Sequence, residues 1–337
     1  MINVPDKKLK RAINFVLGKD RKPDDDITKN EMEFIKELRV DKILGYLRPD
    51  EPGRMYIESL SENLDRGVRS LEGLQYAINL ETLDLSENRI SDLTPLSNLK
   101  KLEYLELDRN IVEDLTPLSK VKSLKHLNIY NNENIVDTQP LANLTNLEWM
   151  DMHFCNRGKH TVNVKPLSNL VNLEYLSIES NFIEDISFAK NLKKLKSFSC
   201  AVNYVTDVTP VERLTDVAYD DADDDLFLNM FNQSKKDTVK IEVDSNGKTV
   251  NIDAPKGLEK YIKKYYADVD IPIVDLKKAE KDDFIKAQYN NKTNKIEVIV
   301  DPNKNKNSRK TECELFINYD WYCLTIKISI DQKGCIK

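Results

Sequence analysis

No stretch of this chain stays apolar over the roughly 18 residues that a membrane-crossing helix requires, so the sequence offers no membrane span. Excess positive charge is missing too: 51 Lys and Arg stand against 57 Asp and Glu, a net charge of −6. That balance argues against nucleic acid as the main partner, because neutralising phosphates takes a concentrated basic face. No GxxxxGK[ST], GxGxxG, HExxH or GxSxG string occurs, and no CxxC pair exists, which removes the common phosphate-cradling and hydrolytic motifs. The chain has three histidines, His126, His153 and His160, and zinc would need three or four ligands converging at about 2 Å. Their spacing points to surface histidines instead. The sequence therefore assigns no catalytic residue, no metal and no cofactor. The aspartates at 220–225 lack the glycine and closing glutamate of a calcium loop, since Leu226 and Asn232 hold those places,. Five cysteines is an odd number, so at least one thiol is unpaired or pairs outside the chain.

What is present is a leucine that returns at a constant step: Leu80, Leu102, Leu124, then Leu173, Leu195 and Val217. Inside a unit the order is constant, as in Leu102-x-x-Leu105-x-Leu107-x-x-Asn110, followed by Val112, Asp114, Leu115, Pro117 and Leu118. Self-similarity of this period marks a leucine-rich repeat, whose one-strand units bury their apolar edge only by stacking. The predicted fold is an α/β solenoid with a parallel sheet on its concave face and turns or 3-10 segments on its convex side. Pro95, Pro117, Pro140, Pro166 and Pro210 sit where each unit leaves the sheet, and proline suits such a turn because it fixes φ and donates no hydrogen bond. Phe188 replaces it in one unit. Asn88, Asn110, Asn132, Asn181 and Asn203 should form an internal column that satisfies backbone groups no strand reaches. Cys155 takes the asparagine position of its repeat and Cys200 an inward one, so both read as buried thiols. Two units run longer than the rest, Leu124 to Leu147 near Asn132–Asn134 and Leu147 to Leu173 around Asn156–His160.

Flanking segments are irregular. Residues 6–18 read as an amphipathic helix capped by Asp6 and ended by Gly18,. Thr28 and Glu31 form a capping box before a second helix carrying Met32, Ile35 and Leu38,. With an insertion at Gly45–Arg54, these make a helical N-terminal cap over 1–67, followed by repeats over 68–217. Residues 218–236 read as a closing segment, with Leu226–Phe231 capping the far end. From 237 to 337 the pattern has period two. Val239, Ile241 and Val243 lead through Asn246-Gly247 to Val250 and Ile252, a hairpin signal,. Residues 255–266 read as helical, and further strands are expected at Phe284–Tyr289, Lys295–Val300, Glu312–Phe316 and Trp321–Ile330. If the last hairpin turns at Asn318, Cys313 and Cys323 face each other and a disulfide is geometrically possible. The Asn-rich stretch with Lys304, Lys306, Arg309 and Lys310 reads as a disordered loop,. We expect a compact β-rich domain, of sandwich type.

The pattern L-x-x-L-x-L-x-x-N-x-I-x-D-L-x-P-L-x-x-L resembles the repeats of the internalin family of bacterial surface proteins. Arg89 to Leu99 follows it almost letter for letter, Leu17-Gly18-Lys19 and Ile27-Thr28-Lys29 resemble the family's cap, and Leu71 to Ala77 its lead-in to the repeats. The resemblance covers residues 6–217. It implies a concave face that holds a protein partner, often on host cells, and makes the C-terminal domain a candidate immunoglobulin-like sandwich. It also implies an extracellular or cell-surface location. No leader is visible at Met1–Pro5 and no sorting motif at the other end, so a cytoplasmic scaffold remains an alternative, as does a glycan-binding surface protein.

Because L-x-x-L-x-L sets which side chains point inward, the alternating ones must face out on the concave sheet. One column reads Thr82, Tyr104, His126, Trp149, Tyr175 and Ser197; the next Asp84, Glu106, Asn128, Asp151, Ser177 and Ser199; the third Ser86, Asp108, Tyr130, His153, Glu179 and Ala201. Strands lie about 4.8 Å apart, so Tyr104, His126, Trp149 and Tyr175 should make a continuous aromatic stripe beside acids. Phe154 extends it at the strand's end. Exposed Trp and Tyr are what binding interfaces favour. The candidate partner-binding residues are Tyr104, Glu106, Asp108, His126, Tyr130, Trp149, Asp151, His153, Phe154, Tyr175 and Glu179.

Overall fold

The computed structural model describes residues 1–18, 20–40, 67–132, 134–156, 161–217, 227–234, 238–257, 274–277, 283–290, 292–305, 307–319 and 322–333. The expected insertion at Gly45–Arg54, the aspartate run at 220–225 and His160 lie outside them. The chain divides into two compact units, Met1–Asn181 with Ser187–Phe198, and Phe182–Ile186 with Ser199–Lys337.

In the first unit, helix α1 (Lys7–Leu17) starts where Asp6 accepts the backbone N–H of Lys8 and Leu9. The second oxygen of Asp6 accepts the Arg69 N–H at 2.8 Å, tying the cap to the first turn of the repeats. Helix α2 (Lys29–Met32) has the expected capping box, and Glu31 also takes the Arg21 guanidinium. Hydrogen bonds from Thr28 hold the Glu31 carboxyl below its ordinary range. The second helix is shorter than expected. It ends at Met32, and Leu38 lies on strand β1 (Glu37–Arg39), which pairs in parallel with β2 (Thr82–Asp84). The apolar spacing of Met32, Ile35 and Leu38 fits either geometry, and all three are buried. Covering the open edge of the first repeat strand decides for the strand.

Strands β3 (Tyr104–Glu106), β4 (His126–Asn128), β5 (Trp149–Asp151) and β6 (Tyr175–Ser177) continue the parallel sheet in unbroken register, with β7 (Ser197–Ser199) next in order. The inward leucines Leu83, Leu85, Leu105, Leu107, Leu124 and Leu127 are fully buried. On the other side the units make 3-10 turns, with proline in the first positions of Thr94–Leu96, Thr116–Lys120, Gln139–Leu141 and Lys165–Asn169 and Phe188 in its place in Ser187–Asn191. Asp92, Asp114 and Asp137 each accept the N–H of the residue two ahead, at 2.8, 2.8 and 3.0 Å, so their carboxylates open these turns.

The asparagine column joins one unit to the next. Asn110 donates to the Leu85 and Leu107 carbonyls and accepts the Ile90 N–H at 2.9 Å; Asn132 donates to Leu107 and Ile129 and accepts Val112 at 2.9 Å. Asn88 and Asn181 play the same part. At the substituted position, the Cys155 thiol donates to the Ile129 carbonyl at 3.1 Å and is fully buried, which pushes its pKa up and leaves it a poor nucleophile,. The residue before each column position has positive φ: Glu87, Asn131, Phe154 and Ser180 lie between 54° and 57°, and Arg109 at 53°. Gly67, just before the Val68 whose N–H Asn88 accepts, has φ 110°, and a Cβ there would come within 3.1 Å of the Asn88 backbone.

In the second unit the ladder continues. Asn203 accepts the Ile183 N–H, and Gln233 accepts that of Val205 at 3.0 Å while donating to the Cys200 carbonyl at 2.7 Å. Gln233 lies on β8 (Phe227–Ser234), so the segment expected to close the repeats is a strand. Strands β9 (Val239–Val243) and β10 (Lys248–Asp253) stand where the hairpin was expected, yet they do not pair with each other. Of the remaining strands, β11 (Val274–Lys277) had no counterpart in the sequence reading, whereas β12 (Ile285–Asn290), β13 (Lys295–Val300), β14 (Arg309–Tyr319) and β15 (Tyr322–Gln332) fall where expected, the last two longer. β10, β13 and β12 form one antiparallel sheet; β15 joins β8, β9 and β14 in a second, with β11 beyond β14. The chain thus crosses between sheets at Asp244–Gly247, where Gly247 has φ 82° and a Cβ would meet the Val300 carbonyl at 2.5 Å. Residues 254–257 are not helical, Lys256 bridging Asp207; the rest of that expected helix is outside the described residues.

The final turn falls after Tyr319, so Cys313 lies opposite Ile328 and Cys323 opposite Asn318, and the cysteines do not face each other. The stretch expected to be disordered is partly built: Arg309 donates to Gln332 and to the Asp301 carbonyl, both at 2.7 Å, and its guanidinium lies over the Phe284 ring. A buried Gln332 needs those partners,.

Replacing Asn132 by alanine leaves the Val112 N–H and the Leu107 and Ile129 carbonyls without their buried amide. We expect a loss of about 2–4 kcal/mol in chemical denaturation, at roughly 1–3 kcal/mol per orphaned group with partial relaxation. A loss below about 0.5 kcal/mol would mean the amide column is not what joins the units.

Candidate functional site

The parallel register places Thr82, Tyr104, His126, Trp149 and Tyr175 side by side on successive strands. Each is partly exposed, while the next residue on its strand (Leu83, Leu105, Leu127, Met150 and Leu176 in turn) is fully buried. Their rings stack almost parallel. Tyr104 and His126 have centroids 4.0 Å apart at 14°, His126 and Trp149 4.0 Å at 8°, and Trp149 and Tyr175 4.7 Å at 5°. Two of these spacings are well inside the ~4.8 Å between strands, so the side chains lean toward one another.

The neighbouring column explains the acids. Asp84, Asn128 and Asp151 each accept the N–H of the residue two ahead, at 3.0, 3.0 and 2.8 Å, closing the strand's end,. Glu106 breaks that habit. Its carboxylate accepts the Tyr104 hydroxyl and stands 2.8 Å from His126 Nε2. Burial works against its ionisation, but the bonds from His126 and Tyr104 outweigh it and hold its pKa below the usual range. The Tyr104 hydroxyl is pushed up by burial and by the same carboxylate. Asp108 and Asp151 go the other way. Burial raises both, and the Ser86 bond to Asp108 and the His153 N–H to Asp151 compensate only in part. Burial also raises Tyr175, helped by the negative charge of Asp151 and Glu179.

In the third column Tyr130 and His153 lie 5.2 Å apart, and His153 meets Phe154 edge-on at 6.4 Å. His153 Nε2 is 3.9 Å from Glu179. Phe154 projects outward from a left-handed corner and is 39% exposed. All eleven candidate residues therefore share one stretch of sheet, but Asp108 among them is buried, as are Asp84, Ser177, Ser199 and Ala201 of the columns expected to face out. Arg109 was not among them. It pairs with Glu87 at 2.6 Å, stands 3.6 Å from Asp108, and lies over the Tyr130 ring at 5.3 Å. Its offset of one full repeat from Glu87 was the available signal, as it is for the pairs Glu103–Lys125 and Glu174–Lys196. Among the described residues, no group of three or more His, Cys, Asp or Glu is arranged to hold a metal. No described helix is long and apolar enough to cross a membrane.

The leucine-rich repeat family, as a pair of repeats, matches residues 78–120. Among solved structures, internalin C2 from Listeria monocytogenes is 29% identical over 68% of this chain and 85% of that one, with a TM-score of 0.54. InlP from Listeria monocytogenes is 15% identical over 98% and 96%, with a TM-score of 0.59, a likeness of fold alone. No curated protein matches at the sequence level.

The opposed shifts of Glu106 and Asp151, two places apart in one column, have opposite consequences for stability. A raised carboxyl pKa means the folded chain binds the proton more tightly, so the shift costs stability above the raised value and costs nothing below the ordinary one. Asp151→Asn should therefore raise the melting temperature at neutral pH, with the gain vanishing toward pH 3. Glu106→Gln should lower it at neutral pH, and that loss should fade as pH falls through the lowered pKa. Melting curves of both variants between pH 3 and 7 check the pair; the same sign for both would contradict the assignment.

Proposed function

We propose that this internalin-like leucine-rich-repeat chain is a non-enzymatic recognition module of an extracellular or surface-attached bacterial protein, docking a host-cell or cell-surface protein on the stripe from Tyr104 to Tyr175. Protein binding is the activity such repeats support as a class. The observation that carries the finer reading is the stack itself: four ring-bearing residues from four strands aligned on one partly exposed face. Inside a fold, rings at this spacing would serve the core. Here the core is already filled by the leucines of the same strands, so the stack adds nothing to it. A contiguous aromatic face is unusual on a surface with no partner.

Ring geometry favours protein over glycan. Sugars bind aromatic faces, and the faces of His126 and Trp149 are covered by their neighbours. Edges, hydroxyls and the flanking carboxylates suit an irregular polypeptide surface better. Acids beside the stripe would steer a basic partner into place more than they set its affinity.

Labelled chain applied to epithelial cells tests this by flow cytometry. Wild-type protein should bind, trypsin treatment of the cells should remove binding, and glycosidase treatment should leave it. Combined replacement of Tyr104, Trp149 and Tyr175 by alanine should weaken binding at least about thirtyfold, since one buried aromatic anchor is worth roughly 2 kcal/mol. Undiminished binding by the triple variant overturns the reading.

A further inference from the structure

The bonds around Glu106 decide more than its charge. One oxygen of its carboxylate, Oε1, accepts the Tyr104 hydroxyl and stands 2.8 Å from His126 Nε2. Burial opposes that charge, yet the bonds from His126 and Tyr104 prevail and keep Glu106 ionised at neutral pH. A carboxylate accepts and never donates, so the proton between Glu106 and His126 belongs to Nε2. Neutral imidazole carries a single N–H. His126 Nδ1 is therefore left with a bare lone pair, and the carboxylate has set the tautomer.

Among the described residues nothing donates to that lone pair; the ring's hydrogen bond is the one to Glu106. Trp149, stacked on His126 at 4.0 Å and 8°, has the converse need, since its indole Nε1 donates and cannot accept,. No described residue takes that hydrogen. The only unpaired side-chain nitrogen or oxygen buried among the described residues is Asn131 Oδ1, so both ring nitrogens reach solvent. A ring lone pair and a ring N–H lie in the plane of their ring. Because the planes are nearly parallel and the faces covered, this acceptor and this donor act along the edges of the stack.

We infer that His126 and Trp149 read the main chain of the partner protein, His126 Nδ1 accepting a backbone N–H and Trp149 Nε1 donating to a backbone carbonyl. This deepens the docking reading and rests on it. A main chain offers both groups at every residue but proline, whereas a lysine or a carboxylate answers one need and leaves the other unmet. Unpaired polar atoms shut inside an interface cost affinity, so the two needs together select what docks.

The same geometry ties docking to pH. The groups beside His126 are Tyr104 and Glu106 on β3, Asn128 on its own strand, and Trp149 and Asp151 on β5. Between about pH 7.5 and about pH 5.5 imidazoles gain a proton. At His126 the vacant place for it is Nδ1, which turns the acceptor into a donor facing the partner's N–H.

The test uses the full chain. With nitrogen-15-labelled histidine, long-range proton–nitrogen spectra at about pH 7.5 should show His126, assigned by its loss in His126→Phe, protonated on Nε2 and bare on Nδ1. Binding to epithelial cells is then measured. His126→Phe keeps a ring in the stack without the acceptor, and Trp149→Phe keeps one without the donor. Each should bind about tenfold more weakly than wild type. Lowering the pH to about 5.5 should weaken wild-type binding about tenfold beyond any loss in His126→Phe, a comparison that cancels the titration of His153, Asp151 and the partner. A proton on Nδ1 at neutral pH, wild-type affinity in either variant, or equal pH losses in wild type and His126→Phe overturns the inference. If that happens while the triple alanine variant still loses its cells, only this polarity falls and the docking face stands. A wild-type chain that binds no cells overturns both.

Discussion

Everything in the repeats depends on one buried polar side chain per turn, an amide except where the Cys155 thiol takes its place. A coil that runs strand, corner, convex turn and back exposes backbone N–H and C=O groups at the corner that no sheet partner reaches, and leaving them unpaired inside the core would be costly. Asparagine satisfies them in both directions at once. Its Nδ2 donates to carbonyls of its own and the preceding unit, and its Oδ1 accepts an N–H from that unit. The stacking of leucines supplies the larger share of burial, but leucines alone would tolerate sliding. The amides do not, because each needs its partners at hydrogen-bond distance. That is how a period in the sequence becomes an aligned lattice of side chains.

The aromatic face is a by-product of that alignment. Only when successive strands keep register can Tyr104, His126, Trp149 and Tyr175 meet ring to ring. The acids beside them divide in character. Glu106 is built into the stack by bonds to Tyr104 and His126, whereas burial works against the charges of Asp108 and Asp151.

How much could be read in advance varied with the range of the interaction. The outward columns follow from L-x-x-L-x-L, and all eleven proposed residues do lie together. The stack's parallel geometry was not legible, because side-chain torsions depend on neighbours a full repeat away. Arg109 was missed for the same reason: only its place beside Glu87 and Tyr130 gives it a role. Near the start, Met32, Ile35 and Leu38 carry a spacing that helix and strand both accept, and the uncovered edge of β2 settled it. Toward the end, Asn246-Gly247 marks a real reversal of the chain, yet β9 and β10 join different sheets.

Local and periodic features were thus determined by the sequence alone: the repeat, the inward leucines, the amide column, the capping of α1 and α2, and most strand positions of the C-terminal unit. Each follows from forces acting within a few residues or from a period that repeats them. Tertiary structure decided which strands pair, where the last hairpin turns and hence that Cys313 faces Ile328, and how closely the rings stack. Those outcomes depend on groups far apart in the chain competing for the same space and the same hydrogen-bond partners, and no local pattern encodes who wins.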